Sequence, residues 1–438
     1  MVDETLDWYL QNGPPNGNPS TTVGIDGNLT SQALDVHGQT VPGFPTAGNL
    51  VPVQINHSRG NGVFLQSPQE SRLNVETRTP TSWGESRTFI EFDFRGCNNF
   101  SCQTLQHVSD NLFPRLRYAY GTLGGFLVGQ ANSNFRDADA EPEVLILDGP
   151  SGEAGINRVP QVRYTTTGPW NSALSFSAEA PETDVVTPAG NVATDSNTGT
   201  PPAGPGPITS ATTSGCVANG VLISATAGCT LTGNPTKSPV PELTFAWYFP
   251  QPWGHVDFRL VGRNLEINDG RFVNRRFLGY GGGVSGDVKP GWFGWQKDDF
   301  QWQVTAGSGI GRYILDNQNA SLATNYLAAP ATAAAAANVI VKPIPAVAGV
   351  VGYQHWWLPT LRSNLAYSYS YYDYPSQLIG PTQSIVSNKL VQSAAVNLIW
   401  SPVGFIDVGL EYFWGQRQVV ANIYGTAQTL VGKFRVKF

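Results

Sequence analysis

The chain has 438 residues, of which 13% are charged and 11% aromatic, and its formal net charge is −6. Soluble domains carry charges on about a quarter of their residues, so this composition disfavours an ordinary soluble fold. The acidic balance also disfavours nucleic-acid binding, which requires a basic surface. Apolar runs such as 333–341 are shorter than the roughly 20 residues of a membrane-spanning helix.

Apolar and polar residues alternate with a period of two along many segments. In residues 86–95, for example, Ile90 and Phe92 share one face while Glu91 and Asp93 share the other. Such alternation predicts a sheet with one apolar and one polar face. Taken in chain order, the predicted strands are 2–10, 62–79, 85–96, 112–121, 125–131, 160–168, 171–181, 240–250, 254–266, 275–289, 298–313, 339–357, 361–373, 388–401, 404–418 and 426–438.

The connections between these strands alternate between tight turns and long polar loops. This rhythm is typical of outer-membrane barrels, which have short periplasmic turns and long external loops. Residues 182–239 form a long external loop, and this loop and the Ala-rich stretch 327–338 are interpreted as flexible, low-complexity surface segments. The predicted long loops are 11–61, 97–111, 132–159, 182–239, 314–338, 374–387 and 419–425.

A soluble sandwich would also alternate, but two features favour a membrane barrel. Tryptophans gather near strand ends on the apolar face, which is typical of interfacial girdles. The polar faces carry many charges, which a water-filled lumen accommodates and a packed core does not. The predicted fold is therefore all-β: a transmembrane antiparallel β-barrel of about sixteen strands, formed by residues 1–438 as a single domain. The girdle tryptophans are Trp170, Trp247, Trp253, Trp292, Trp295, Trp356, Trp357, Trp400 and Trp414.

Several short motifs resemble the dicarboxylate-specific, DcaP-like porins of Gram-negative bacteria, and the alternating last strand ends in Phe438, as outer-membrane proteins do. The resemblance covers roughly residues 62–168. It implies a homotrimeric channel in the bacterial outer membrane, with an inward-folded third loop and a preference for small anions, especially dicarboxylates. The expected partners are small solutes, outer-membrane lipid and lipopolysaccharide, without any cofactor. The motifs are Ser71–Leu73 with Thr79–Pro80, Glu91–Phe94, Leu116–Gly121, Gly129–Gln130 with Ser133–Phe135, Pro142–Glu143 with Asp148–Pro150, and Pro160–Tyr164.

Basic residues outnumber acidic residues on the predicted inward faces by thirteen to seven, a surplus of about six positive charges. Guanidinium groups suit carboxylates because they bind both oxygens at once. We therefore expect a ladder of arginines that attracts anions. The alternative is that these arginines only solvate the lumen and pair with Glu76, Glu91 and Asp93. The predicted ladder is Arg72, Arg87, Arg115, Arg117, Arg163, Arg259 and Arg263.

The loop 132–159 is rich in acidic residues, and the resemblance implies that it folds into the barrel and narrows it. An acidic loop opposite a basic wall would create a transverse field that orients dipolar solutes. Two alternatives are an exposed acidic loop and a calcium site made of clustered carboxylates. The acidic residues of this predicted constriction loop are Asp137, Asp139, Glu141, Glu143, Asp148 and Glu153.

The four cysteines form two local pairs, Cys97 with Cys102 and Cys216 with Cys229. Their spacing and surroundings do not match a metal site, so two disulfides in an oxidising compartment are predicted. The five histidines are dispersed along the chain without metal-type spacing, and neither a metal site nor an enzyme is expected.

Three functions remain open at this point. The first is a passive channel that favours small anions, and the second is a general diffusion pore without selectivity. The third belongs to a different class: a surface adhesin or structural barrel whose pore is plugged.

Overall fold

The computed structural model describes residues 2–12, 63–67, 70–96, 113–146, 149–155, 157–187, 190–194, 216–218, 221–224, 236–291, 294–295, 297–315, 320–326, 330–379, 387–422 and 424–437. These residues form mostly β-strands. The strands are β1 (Val2–Asn12), β2 (Val63–Ser67), β3 (Arg72–Thr81), β4 (Gly84–Gly96), β5 (Phe113–Leu123), β6 (Phe126–Asn132), β7 (Arg158–Thr167), β8 (Ala173–Glu179), β9 (Thr183–Thr187), β10 (Gly190–Thr194), β11 (Cys216–Ala218), β12 (Val221–Ser224), β13 (Thr236–Lys237), β14 (Glu242–Gln251), β15 (Gly254–Asn268), β16 (Asn274–Val288), β17 (Asp299–Ser308), β18 (Leu322–Thr324), β19 (Val341–Pro343), β20 (Pro345–Leu358), β21 (Leu361–Tyr372), β22 (Asn388–Val403), β23 (Ile406–Val419) and β24 (Tyr424–Lys437).

The main sheet contains 18 of these strands and closes into a ring of antiparallel pairs. Strand β1 pairs with β24 on one side and with β2 and β3 on the other. Strands β2 and β3 both pair with β1 and share one position in the ring, and β13 and β14 likewise share one position beside β15. The 18 strands therefore occupy sixteen positions. Closure removes the free edge that a membrane-spanning sheet could not satisfy. The predicted barrel of about sixteen strands is confirmed.

The observed strand ends differ from the predicted ones where glycine or loop packing intervenes. The strand predicted as 298–313 ends at Ser308, because Gly309 has a φ of +73° and turns the chain out of the sheet. A 3₁₀ turn, Gly311–Tyr313, follows it. The strand predicted as 339–357 is divided: β20 belongs to the barrel, whereas β19 belongs to a second sheet.

That second sheet has the order β10-β9-β18-β19. Strands β9 and β10 come from the predicted loop 182–239, β18 comes from the predicted loop 314–338, and β19 comes from the start of the predicted strand 339–357. The interpretation of 182–239 and 327–338 as flexible low-complexity segments is wrong for the parts described. Val185 is fully buried and Ala336 is 3% exposed, and both pack in one cluster with Leu265 and Ile267 at the barrel rim, so apolar burial orders them. Two shorter elements complete the loops: the hairpin β11–β12 and one helix, α1 (Ala333–Ala336).

The two faces of the barrel wall differ in character. Outward-facing Leu243, Leu260 and Leu278 are 61%, 57% and 69% exposed, whereas many inward-facing side chains are polar and buried. Exposed tryptophans lie beside short turns, as at Trp83, Trp170 and Trp400, which agrees with a girdle at that end of the barrel. Among the described residues, no helix is long and apolar enough to cross a membrane.

Candidate functional site

The loop between β6 and β7 enters the barrel and is first held by β8. Glu179 of β8 accepts hydrogen bonds from the Ser133 hydroxyl (2.8 Å) and from the backbone N–H of Asn134 (2.7 Å). Phe135 then inserts into an apolar cluster with Tyr313, where its exposure falls to 0%. The loop therefore begins as a packed element inside the barrel.

A second anchor joins the loop to β15 and β16. Asp137 accepts hydrogen bonds from Nε2 of His255 (2.8 Å) and from the Ser285 hydroxyl (2.5 Å). The other ring nitrogen of His255 contacts Asp287. Burial raises the pKa of Asp137, but the bonds from His255 and Ser285 and the nearby positive charges outweigh it and hold that pKa below 3.8, its ordinary value. Asp137 is therefore ionised and works as an anchor at neutral pH.

Two further anchors hold the middle of the loop against β21, β22 and β23. Arg362 donates two hydrogen bonds to Glu143, of 2.7 and 2.6 Å. The Glu411 carboxylate accepts the backbone N–H groups of Leu145 (2.7 Å) and Ile146 (2.8 Å). Together these anchors lay the loop along the inner wall from β8 to β23, and the predicted inward fold is confirmed.

A cavity of about 780 Å³ separates this loop from the opposite wall of the barrel. On the loop side it is lined by Glu141, Glu143 and Glu153. Arg136, also on the loop, forms a two-pronged pair with Glu141, and this pairing raises the pKa of Arg136 although burial opposes it. The opposite wall contributes Arg72, Arg115, Arg117, Lys433 and Arg435. The whole lining contains seven basic residues against four acidic residues: Arg72, Arg115, Arg117, Arg136, Arg158, Lys433 and Arg435 against Glu70, Glu141, Glu143 and Glu153.

Two of the basic residues on the opposite wall are tied to strand β4. Arg115 donates to Asp93 (3.0 Å from Nε), and Arg117 donates to both Glu91 (2.6 Å) and Asp93 (2.9 Å). Arg117 is only 7% exposed. These pairs orient the two guanidinium groups and offset much of their charge.

Arg158 differs from these two arginines, because within the described residues it has no carboxylate partner. Its guanidinium carbon lies 5.2 Å from the centre of the Tyr118 ring. The sequence places Arg158 inside the predicted loop 132–159, but it stands at the first position of β7, where the chain leaves the loop. At that strand end the side chain turns into the cavity, so sequence reasoning missed it. Its place near the end of the predicted constriction loop was the sequence signal that could have assigned it to the cavity.

The predicted ladder is only partly assembled. Arg72, Arg115 and Arg117 line the cavity. Arg87 lies elsewhere in the lumen, where it pairs with Glu76 at 3.1 Å. Arg163 donates to Gln161 (2.9 Å) and to the carbonyl of Asn132.

Arg259 and Arg263 are a correction to the predicted ladder, since both are only 1% exposed and do not reach the cavity. Arg259 lies beneath the third loop and donates to the carbonyl of Phe135 at 2.7 Å. Arg263 lies beneath the second sheet and binds Glu242 at 2.7 Å and Asp184 at 3.2 Å. Period two gives the face of a strand correctly, but it does not show which inward residues are covered by a loop.

Some acidic residues of the loop line the cavity and others do not. Glu141, Glu143 and Glu153 reach the cavity, while Asp137 is buried behind the loop. Asp139 accepts a hydrogen bond from the Tyr248 hydroxyl at 3.4 Å. Asp148 lies outside the described residues.

The charge count made from the sequence also needs correction. Glu242, Glu266 and Asp287 are buried strand acids that it omitted, and Arg417 is a buried base that it omitted. The surplus of about six strand-borne positive charges therefore does not describe the lumen. The relevant excess is local to the cavity.

The disulfides and the calcium site are the remaining predictions from the sequence. Cys97, Cys102 and Cys229, and the side chain of Cys216, lie outside the described residues, so both disulfides stay predictions. For the calcium alternative, no group of three or more His, Cys, Asp or Glu with metal-binding geometry occurs in the described part of the chain.

Residues 53–228 match the model of a family described as the porin subfamily. The outer membrane channel DcaP of Acinetobacter baumannii superimposes with a TM-score of 0.66 at 20% identity, covering 100% of this chain and 96% of that one. The chain has the fold of an outer-membrane porin. OmpF of Salmonella typhi, solved in complex with daunomycin, superimposes with a TM-score of 0.50 at 8% identity, covering 100% of this chain and 97% of that one. No curated protein matches the chain.

These comparisons confirm the predicted resemblance to DcaP-like porins and the location in the bacterial outer membrane. The family match over residues 53–228 and the barrel fold indicate a porin-type channel.

Proposed function

We propose that this porin passes small hydrophilic solutes by passive diffusion and favours small anions, with dicarboxylates as the preferred class. The observation that carries the proposal is the 780 Å³ cavity, whose lining contains seven basic and four acidic residues. A charge in a narrow, partly dehydrated space interacts more strongly than in bulk water, because the effective dielectric constant is lower. An anion crossing the cavity is therefore stabilised relative to a cation.

Arg158 is the side chain that we expect to contribute most to this preference. Arg115 and Arg117 are compensated by Asp93 and Glu91, whereas Arg158 faces the cavity without a carboxylate partner in the described structure. A guanidinium group can bind both oxygens of a carboxylate. Glu141, Glu143 and Glu153 on the loop would repel an anion toward the basic wall and keep its binding weak enough for release.

The test is the substitution Arg158→Gln, studied in planar bilayers with a salt gradient across the membrane. Loss of one positive charge in the cavity is expected to lower the anion-to-cation permeability ratio by about two- to fivefold. Flux of a neutral sugar should be unchanged. Arg78→Gln is the matched control, because Arg78 is an exposed arginine, 59% accessible, outside the cavity lining.

The same measurement separates the alternatives. A wild-type reversal potential near zero would identify a non-selective pore and overturn the anion preference. Absence of conductance would identify a plugged barrel, the adhesin or structural alternative. An unchanged reversal potential in Arg158→Gln would assign the selectivity, if present, to other residues.

We also propose that the chain is one barrel domain, 1–438, that assembles as a homotrimer surrounded by outer-membrane lipid and lipopolysaccharide. Exposed apolar rows on the outward face supply surface both for lipid and for neighbouring subunits. Native mass spectrometry in mild detergent tests the trimer, and a monomer mass alone would contradict it.

A further inference from the structure

The outward face of the barrel carries an apolar groove across strands β8 and β14–β17. The groove has a volume of about 710 Å³, and Phe176, Phe245, Leu260 and Tyr280 are among its lining residues. Leu260 and Tyr280 are 57% and 59% exposed. Because the groove lies on the lipid-facing side of a membrane barrel, its contents come from the bilayer or from another membrane protein.

Two glycines open the groove between these large side chains. Gly262 of β15 pairs with Tyr280, and Gly282 of β16 pairs with Leu260, so glycines and large residues alternate along two adjacent strands. A Cβ atom added at Gly262 would meet no atom within 4 Å. The groove is thus an open slot in the wall, and a larger residue at Gly262 would fill it without disturbing the backbone.

Basic residues form a rim at one end of these strands, the end from which the long loops extend. Arg276 stands on the same outward row of β16 as Tyr280, and its side chain is 63% exposed. Lys237 of β13 pairs across from Glu266 on the neighbouring strand. Arg271 lies in the turn 269–273 that precedes β16.

Two acids share this rim, but both are already engaged. Glu266 accepts a hydrogen bond from Arg276 at 2.9 Å and is 2% exposed. One Asp269 oxygen accepts the backbone N–H groups of Arg271, Phe272 and Val273 within the turn. Arg276, Lys237 and Arg271 outnumber these two acids, so the edge above the apolar groove is net positive.

The spacing of rim and groove fits one amphipathic molecule. Arg276 and Tyr280 are four residues apart, which is about 13 Å along a strand. Long loops mark the external side of such barrels, so the rim lies at the level of the outer leaflet head groups. A phosphorylated lipid of that leaflet presents its phosphate at this height and its acyl chains below it.

We propose that this groove and its basic rim bind lipopolysaccharide, with one acyl chain in the slot at Gly262 and a lipid A phosphate against Arg276 and Lys237. Charge complementarity favours lipopolysaccharide over a second copy of the chain. A phosphate complements the basic rim, whereas the apolar outward face of another barrel does not. The proposal rests on the lipopolysaccharide surroundings proposed above, but it is independent of the solute preference of the lumen, since it concerns the opposite face of the wall.

Native mass spectrometry of the full-length protein in detergent, titrated with bisphosphorylated lipid A, tests the proposal. The double substitution Arg276→Gln/Lys237→Gln should weaken binding by about ten- to thirtyfold, since each basic residue contributes about 1 kcal/mol near an anionic lipid surface. Glu266→Gln should instead strengthen binding by about fivefold. Lys389→Gln is the matched control, because Lys389 is a cation at the corresponding end of a different wall.

Gly262→Phe tests the slot separately, and should lower lipid A affinity while the anion selectivity of the lumen is retained. Three results would overturn the proposal. The first is unchanged lipid A binding in both the rim and the slot variants, and the second is equal affinity for dephosphorylated lipid A. The third is loss of the oligomer in Gly262→Phe with unchanged lipid binding, which would identify the groove as a subunit interface. Were Gly262→Phe to misfold, the rim variants would decide alone.

Discussion

Arg362 of β21 binds Glu143 of the third loop through two of its guanidinium nitrogens, at 2.7 and 2.6 Å. The pair joins a membrane-spanning strand to a segment that is more than 200 residues distant in sequence. Glu143 also faces the cavity, so this contact fixes both the position of the loop and the place of a negative charge in the lumen.

Arg362→Gln should release this part of the loop. Breaking a buried pair leaves an uncompensated charge and costs about 3–5 kcal/mol, a figure that the partial exposure of Glu143 (30%) reduces. Single-channel recordings should show larger or noisier conductance than wild type. Recordings indistinguishable from wild type would mean that the contacts of Glu411 with Leu145 and Ile146 hold the loop without Arg362.

The anchor between Asp137 and His255 should make loop docking sensitive to acid. The pKa of Asp137 in the folded protein lies below its ordinary 3.8, so its stabilising contribution is complete above that value and is lost as the pH falls through the lowered pKa. Conductance should therefore be constant from pH 7 to about pH 4 and change below it.

In His255→Gln the main interaction that lowers the pKa of Asp137 is gone, and burial then raises it. Release of the loop should begin at a higher pH than in wild type. Conductance against pH, recorded for both proteins, checks this shift, and coincident profiles would exclude His255 as the determinant.

Phe135→Ala should destabilise the folded barrel. Phe135 is fully buried in the cluster under the loop, and truncation of a buried phenylalanine costs about 3–5 kcal/mol. The temperature at which the folded band disappears in semi-native electrophoresis should fall. Phe92→Ala is the control, because Phe92 is a lipid-facing residue that is 38% exposed. Equal losses in both variants would contradict the role assigned to Phe135.

Simultaneous replacement of Arg115 and Arg117 by Ala should shift the reversal potential toward cations and reduce uptake of succinate. Two positive charges are removed, and Glu91 and Asp93 lose the partners that compensate them. Neutral-sugar flux should hold or rise slightly, because the space widens. If anion preference and uptake both persist, these arginines serve only the structure of the wall.

The two disulfides, Cys97–Cys102 and Cys216–Cys229, stay predictions that peptide mapping can check. Non-reducing digestion of protein from an oxidising compartment should yield two cross-linked peptides, one for each local pair. Recovery of alkylated cysteines without prior reduction would show that the thiols are free.

Period-two alternation determined the barrel, because each spanning strand must present apolar residues to lipid and polar residues to the lumen. The same rule gave the inward faces of Arg115 and Glu411 correctly. The rule assigns no face to loop residues, and Arg158, which was placed in the predicted loop 132–159, was missed for that reason. Composition led to the interpretation of the segments of β9 and α1 as flexible, whereas their order comes from packing in one cluster with Leu265 and Ile267 at the rim.

The sequence by itself determined the class of fold, the positions of the barrel strands to within a few residues at most ends, and the acidic character of the third loop. Only the tertiary structure decided which charges face the cavity. Arg259 and Arg263 point inward as their positions in β15 require, yet the third loop and the second sheet cover them. Residues more than 100 positions apart meet there, as Arg259 and Phe135 do, and local patterns carry no information about such contacts.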